Sequence, residues 1–194
     1  MKNAHWGVSL LRPCRKPSHA ARENQAAGFV RPTAFVLVSE SRRPYAASVE
    51  FTLRNVTIFA GLDDDALSLL MARVRQTTVP AGGVIVREGE PGNHLYLIVA
   101  GAVRICKRFD RPDQVELARL NPGDFFGEMC ILETLPRAAT VQAASETTLY
   151  ALPSLAFYDL FQANPEQYSI LILNIARDVS RRLRRLDEIF AALH

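Results

Sequence analysis

The chain has 194 residues, 48% of them apolar and 22% charged, with a formal net charge of +3. That length holds one domain with a real core plus appendages, not two full domains, and the composition is that of a soluble globular protein. No apolar run approaches the length needed to span a bilayer, so no membrane partner is expected and the expected location is cytoplasmic. The charge is unevenly divided: residues 1–46 carry eight Lys/Arg against two acids, the remainder fifteen against eighteen. The body is therefore mildly acidic and offers no nucleic-acid-binding face. Three cysteines, Cys14, Cys106 and Cys130, are odd in number and lack metal-ligand spacing, which points to a reduced compartment with free thiols.

Residues 1–48 mix Pro13, Pro17, Pro32 and Pro44 with scattered Arg, Ser and Ala and show no sustained periodicity. Their longest apolar run, Ala34 to Val38, fits one short strand but not a signal-peptide core, and Arg42-Arg43 has no apolar stretch after it. The segment reads as a basic, disordered or irregular extension. An organellar transit peptide and an arm for an acidic partner are the alternatives. From Phe51 the texture changes. Asp63, Asp64 and Asp65 stand where a helix start favours negative charge, and Ala66, Leu67, Leu69, Leu70 and Val74 then give a short amphipathic helix. A metal site is the competing reading of the three aspartates.

Six short β-type runs follow: Val84–Val86, His94–Ala100, Ala102–Lys107, Val115–Leu120, Ala138–Ala143 and Thr147–Leu152. Seven of the ten glycines fall between Gly82 and Gly127, so tight reversals concentrate there. Many short strands at this rhythm predict an antiparallel sandwich or barrel. Ser154 to Phe161 predicts a short helix. Asn164 then suits an N-cap, Pro165 a first helical position, and Gln167 completes a capping-box pattern. Ile172, Ala176, Val179, Leu183, Leu186, Phe190 and Leu193 recur at alternating steps of four and three, which is a heptad seam. The seam predicts a homodimer in which Arg182 faces Asp187 of the partner subunit. Alternatively the same stripe covers the β domain within one chain. Arg177, Arg181, Arg182, Arg184 and Arg185 read as solvated flanks of the seam, and nucleic acid is not expected as a partner. The domain division is an extension over 1–48, a β domain over 49–163 and a terminal lid or dimerisation helix over 164–194.

The stretch from Phe126 to Val141 organises the rest. Gly127 precedes a short helical run, whose free N–H groups favour an anion. Arg137, brought back beside it, would clamp phosphate oxygens with its planar fork. Glu128 would repel a bare phosphate, so its use must be to accept hydrogen bonds from hydroxyls. Together these describe a nucleotide monophosphate site without a metal. Glu128 with Arg137 lacks an activated nucleophile or a positioned histidine, and His5, His19, His94 and His194 are dispersed, so catalysis is not expected.

The run Phe126-Gly127-Glu128 through Pro136-Arg137-Ala138-Ala139-Thr140-Val141 closely resembles the phosphate-binding cassette of cyclic-nucleotide-binding domains, of the protein kinase A regulatory subunit and catabolite activator type. Ile58 to Leu62, Gly83 to Gly89, Leu95 to Gly101 and Pro122 to Glu128 are similar to further landmarks of that family. The resemblance covers about residues 55–190. It implies a mainly β fold with flanking helices: an eight-stranded antiparallel β-roll, jelly-roll-like, with a cassette helix inside and a long C-terminal helix. It implies that Glu128, helped by the Gly127 backbone, takes the ribose 2′-hydroxyl. It implies that Arg137 pairs with the cyclic phosphate, and that the N–H groups of Cys130 and Ala138 add donors. Phe126 and Met129 complete the cassette part of the candidate set. Threonine directly after the arginine goes with cGMP in that family. Here Ala138 stands there, so cAMP is the favoured ligand and cGMP the alternative. Thr140 is included in the set but reads as a sheet residue. Cys130 replaces a usual alanine, serine or glycine, as a small filler or a redox-sensitive thiol. Arg182 and Leu183 stand where the catabolite activator presents hydroxyls to adenine, and Arg182 is expected to stack over the base. The implied protein is a non-catalytic regulatory module with no cofactor or metal and an unidentified effector protein. With the chain ending at His194, no helix-turn-helix is expected. A DNA-binding regulator related to the catabolite activator and a nucleotide-blind dimerisation scaffold are the competing functions.

Overall fold

The turn residues do separate strands. The computed structural model describes residues 54–133 and 135–192. The expectations for the extension over 1–48, and for Leu193 in the seam, lie outside those residues. Eight strands form two four-stranded antiparallel sheets. These are β1 (Arg75–Val79), β2 (Val84–Val86), β3 (His94–Ala100), β4 (Val103–Lys107), β5 (Val115–Leu120), β6 (Phe125–Phe126), β7 (Thr140–Ala143) and β8 (Thr147–Pro153). One sheet has the order β1-β8-β3-β6 and the other β2-β7-β4-β5. Helices α1 (Asp64–Met71), α2 (Met129–Leu132), α3 (Ser154–Ala163) and α4 (Pro165–Ala192) complete the fold.

Strand alternation assigns the core. On β3, Ile98 and Tyr96 face the opposite sheet and join Val86, Val103, Leu120, Phe126, Val141 and Leu149. Leu95 and Leu97 point the other way and pack with Leu67, Leu70, Phe157, Leu160, Leu171 and Ile175 of the helices. The first sheet is thus covered on both faces, which is why central β8 is buried at Thr147 and from Leu149 to Leu152.

Two strands lie outside the six runs expected from the sequence. β1 reads Arg-Gln-Thr-Thr-Val and is mostly exposed, held at the sheet edge by its pairing with β8. β6 is two residues long and pairs with β3 at Tyr96 and Leu97. β7 begins at Thr140 rather than Ala138, because the preceding backbone is used elsewhere: the Arg137 N–H donates to the Glu90 carbonyl at 2.8 Å.

Asp63 caps α1, its carboxylate accepting from the Ala66 N–H at 2.8 Å. Asn164 caps α4 by accepting from the Gln167 N–H at 3.2 Å. The reciprocal half of the expected capping box does not form. The Asn164 N–H already ends α3 on the Leu160 carbonyl, so Gln167 Oε1 accepts instead from the Asp63 N–H at 2.9 Å. The Asn174 amide donates to the Ile58 and Ala60 carbonyls at 3.1 and 2.8 Å, which fastens α4 to the Thr57–Phe59 turn.

The heptad stripe divides. Ile172 and Val179 pack on the body beside fully buried Leu171 and Ile175. Leu183, Leu186 and Phe190 are 57%, 58% and 69% exposed. Leu171→Ala should therefore cost about 2–5 kcal/mol of stability, whereas Leu173→Ala on the outer face should change it by less than about 0.5 kcal/mol. Urea unfolding of the two variants checks which face of α4 is docked.

Candidate functional site

A cleft of about 110 Å³ opens between α2, the loop that follows it and the second sheet. Its floor is a cross-strand row. Val86 pairs with Val141 and Val141 with Ile105, so β2, β7 and β4 present three apolar side chains side by side. Phe126, Gly127, Glu128, Met129, Arg137, Ala138 and Arg182 line the rest. Eight of the nine residues singled out from the sequence are thus placed at or beside the cleft: these seven line it, and Cys130 follows within α2. Thr140 is not among them. It is buried, and its hydroxyl accepts from the Glu88 N–H at 3.0 Å, as a sheet residue would. Leu135, Pro136, Ala139 and Val141, within the cassette run but not among the residues singled out, also line the cleft, as do Val86 and Ile105, which were missed. The apolar character of Val86 and Ile105 was visible, but which residues stand beside Val141 depends on strand register.

Gly127 has φ +84°, and a Cβ there would come within 2.6 Å of the His94 carbonyl oxygen and 2.7 Å of Arg137 Nη1. Only glycine accepts both the backbone conformation and the close approach. A Cβ at Gly92 would overlap the Arg137 guanidinium itself. Arg137 therefore lies across two glycines, with Nη2 donating to the His94 carbonyl at 3.0 Å and the guanidinium 5.7 Å from the Tyr96 ring centroid. Tyr96 in turn stacks on Phe126 at 5.0 Å and 17°. A guanidinium has five donors, so an anion in the cleft can be met without breaking the bond that aims the side chain.

α2 is a single turn, so its dipole is small, and the groups it and its neighbourhood could offer an anion are its leading N–H groups and Arg137. Glu128 is 8% exposed and pairs with Arg182 of α4, Oε1 to Nη1, at 3.2 Å. Arg182 lines the cleft and has an aromatic partner within the chain. Its guanidinium carbon lies 4.5 Å from the Phe125 ring centroid, and Nη2 donates to the Phe125 carbonyl at 3.1 Å. Phe125 was available to it because β6 turns that ring toward the helices. Burial pushes the Asp124 carboxyl above its usual range, opposed by the Asn121 N–H and the Arg182 charge.

A larger hollow of about 270 Å³ lies between α3 and α4, lined by Ile131, Ser154, Phe157, Tyr158, Phe161 and Tyr168. It carries no charged side chain and is not an anion site. Among the described residues there is no cluster of metal-ligating side chains, and no helix is long and apolar enough to cross a membrane.

His94, whose carbonyl holds Arg137, has its imidazole pKa lowered by burial and then by the charges of Arg137 and Arg75. With the folded pKa below the unfolded value of 6.5, the unfolded chain binds the proton first as pH falls. This contribution to stability is therefore present above pH 6.5 and is lost as the solution is acidified through the folded pKa. Thermal unfolding between pH 7.5 and 5.5 should show a larger loss of Tm in the parent protein than in His94→Gln.

Residues 76–164 match the sequence family described as the cyclic nucleotide-binding domain. A cyclic nucleotide-gated potassium channel of Mesorhizobium japonicum is 40% identical over 111 residues, 57% of this chain and 29% of the channel. A CRP-like cAMP-activated global transcriptional regulator of Mycobacterium tuberculosis is 30% identical over 141 residues, 73% of this chain and 61% of the regulator. The chain thus spans less than two thirds of either relative's length. Among solved structures, the regulatory domain of Toxoplasma gondii PKA in complex with cAMP superposes with a TM-score of 0.57 at 29% identity, covering 62% of this chain and 46% of that one.

Proposed function

We propose that this chain, whose residues 76–164 match the cyclic nucleotide-binding domain family, is a non-catalytic regulatory module that binds a cyclic nucleoside monophosphate and answers by changing the pose of α4. The observation that carries the reading is the juxtaposition of Gly127, Glu128 and Arg137 at one apolar-floored cleft. A cyclic phosphate bears one negative charge, so one guanidinium and a few amides compensate it without a metal. Charge-assisted hydrogen bonds of this type contribute about 1.5–3 kcal/mol each, enough for micromolar binding once base contacts are added. The cleft is smaller than the roughly 300–1,000 Å³ that encloses most drug-sized ligands, so the base must extend over the rim. There Met129 and Leu135, 46% and 63% exposed, offer apolar surface.

The adenine nucleotide is favoured because Ala138 offers guanine no hydroxyl. The relatives whose names mention cAMP, the mycobacterial regulator and the Toxoplasma domain, support the same choice. A ligand shifts α4 only through different affinities for two helix poses, and Arg182 supplies a contact between helix and cleft on which such a difference can rest. The exposed Leu183, Leu186 and Phe190 are the surface through which two copies would pair.

Calorimetry on ligand-stripped protein should give micromolar binding of cAMP, weaker binding of cGMP, and a loss of at least about tenfold in Arg137→Ala. Absence of heat with both nucleotides at millimolar concentration would refute the reading. Light scattering should show a dimer that becomes monomeric when Leu186→Glu and Phe190→Glu are combined, and an unchanged mass would remove the pairing surface.

A further inference from the structure

The charge of Glu128 poses a problem that Arg182 answers. The Glu128 side chain is only 10% exposed and stands in a cleft that is to receive an anion, so it needs a partner within the chain. Arg182 reaches it from α4 and is itself fixed on four sides. Nη1 meets Glu128 Oε1 at 3.2 Å, Nη2 donates to the Phe125 carbonyl at 3.1 Å, and Nε lies 2.6 Å from Asp178 Oδ2 one helical turn back. The guanidinium face covers the Phe125 ring. Asp178 is buried and is also held by Arg181 at 3.1 Å.

We propose that Arg182 is a positioning residue that acts through Glu128, making recognition of the ligand's ribose conditional on the docked pose of α4. This rests on the reading of the cleft as a cyclic-nucleotide site. A carboxylate has two oxygens and several lone pairs, so Arg182 on Oε1 leaves Oε2 to accept a ribose hydroxyl. Arg182 is also the last side chain of this contact along α4, since the exposed stripe begins at Leu183. The hydroxyl acceptor and the exposed end of the helix therefore meet at one guanidinium.

The test is calorimetry on the full chain with cAMP and with 2′-deoxy-cAMP, comparing the parent with Arg182→Met, which keeps aliphatic packing on Phe125. The expected result is about tenfold weaker binding of the ribose ligand and less than about twofold change for the deoxy ligand. Equal losses with both ligands, or no loss, would overturn the proposal while leaving the function standing. If the parent binds neither ligand, the function itself fails and the proposal with it. Should Arg182→Met not fold, Arg182→Lys replaces it. A lysine keeps the charge but cannot serve Glu128, Phe125 and Asp178 together, so a smaller loss confined to the ribose ligand is expected, and an equal loss with both overturns the proposal. Thermal unfolding of unliganded Arg182→Met, Glu128→Gln and the double variant provides a ligand-free check. Non-additive Tm shifts support the pair, and additive shifts overturn it.

Discussion

Arg137 enters the cleft across two positions that have no Cβ. At Gly92 a methyl group would collide with the guanidinium, and at Gly127 it would press on both the guanidinium and the His94 carbonyl that anchors it. The rest of the site follows from this close packing. The His94 carbonyl takes one donor and fixes direction, Tyr96 and Phe126 stack beneath it, and the remaining donors are left for an anion. A flexible arginine on an open surface would lose more side-chain entropy on binding. Here much of that ordering has been completed by folding.

The second constraint is the docking of a long helix against a small β domain. The first half of α4 is held by buried Leu171 and Ile175 and by the Asn174 amide. Beyond Arg182, Leu183, Leu186 and Phe190 are each more than half exposed. The first half of the helix is thus tied to the core, and it ends at the ion pair to Glu128. The energetics suit a switch. The apolar contacts of the first half are strong enough to keep the helix attached. A partly buried ion pair near the boundary is a small net contribution that a ligand can reinforce or offset.

Much of this was legible in the amino-acid order. Gly127, Glu128 and Arg137 stood out because the whole run from Phe126 to Val141 resembles the phosphate-binding cassette; a lone Gly-Glu or Pro-Arg would mean little. The strands with clear apolar content, β3, β4, β5 and β8, were visible within a residue or two. β1 was not, since Arg-Gln-Thr-Thr is a polar edge that pairing with β8 alone makes a strand. Gln167 showed a capping-box pattern, yet its side chain serves the Asp63 N–H 104 positions away, because a local donor was already occupied.

By itself, the order of residues determined the alternation of short strands and reversals, the Gly127-Glu128 to Arg137 pattern of the proposed site and the amphipathic character of the last helix. These depend on neighbours within one turn or one hairpin. Tertiary structure alone decided which strands share a register, so that Val86, Val141 and Ile105 form the cleft floor, and where Arg182 points. Both depend on contacts between residues tens of positions apart. Local spacing allowed Arg182 to cover a base, pair with a second chain or seek a carboxylate. The folded chain placed Glu128 and the Phe125 ring within its reach, and a guanidinium takes the nearest anion and aromatic face together.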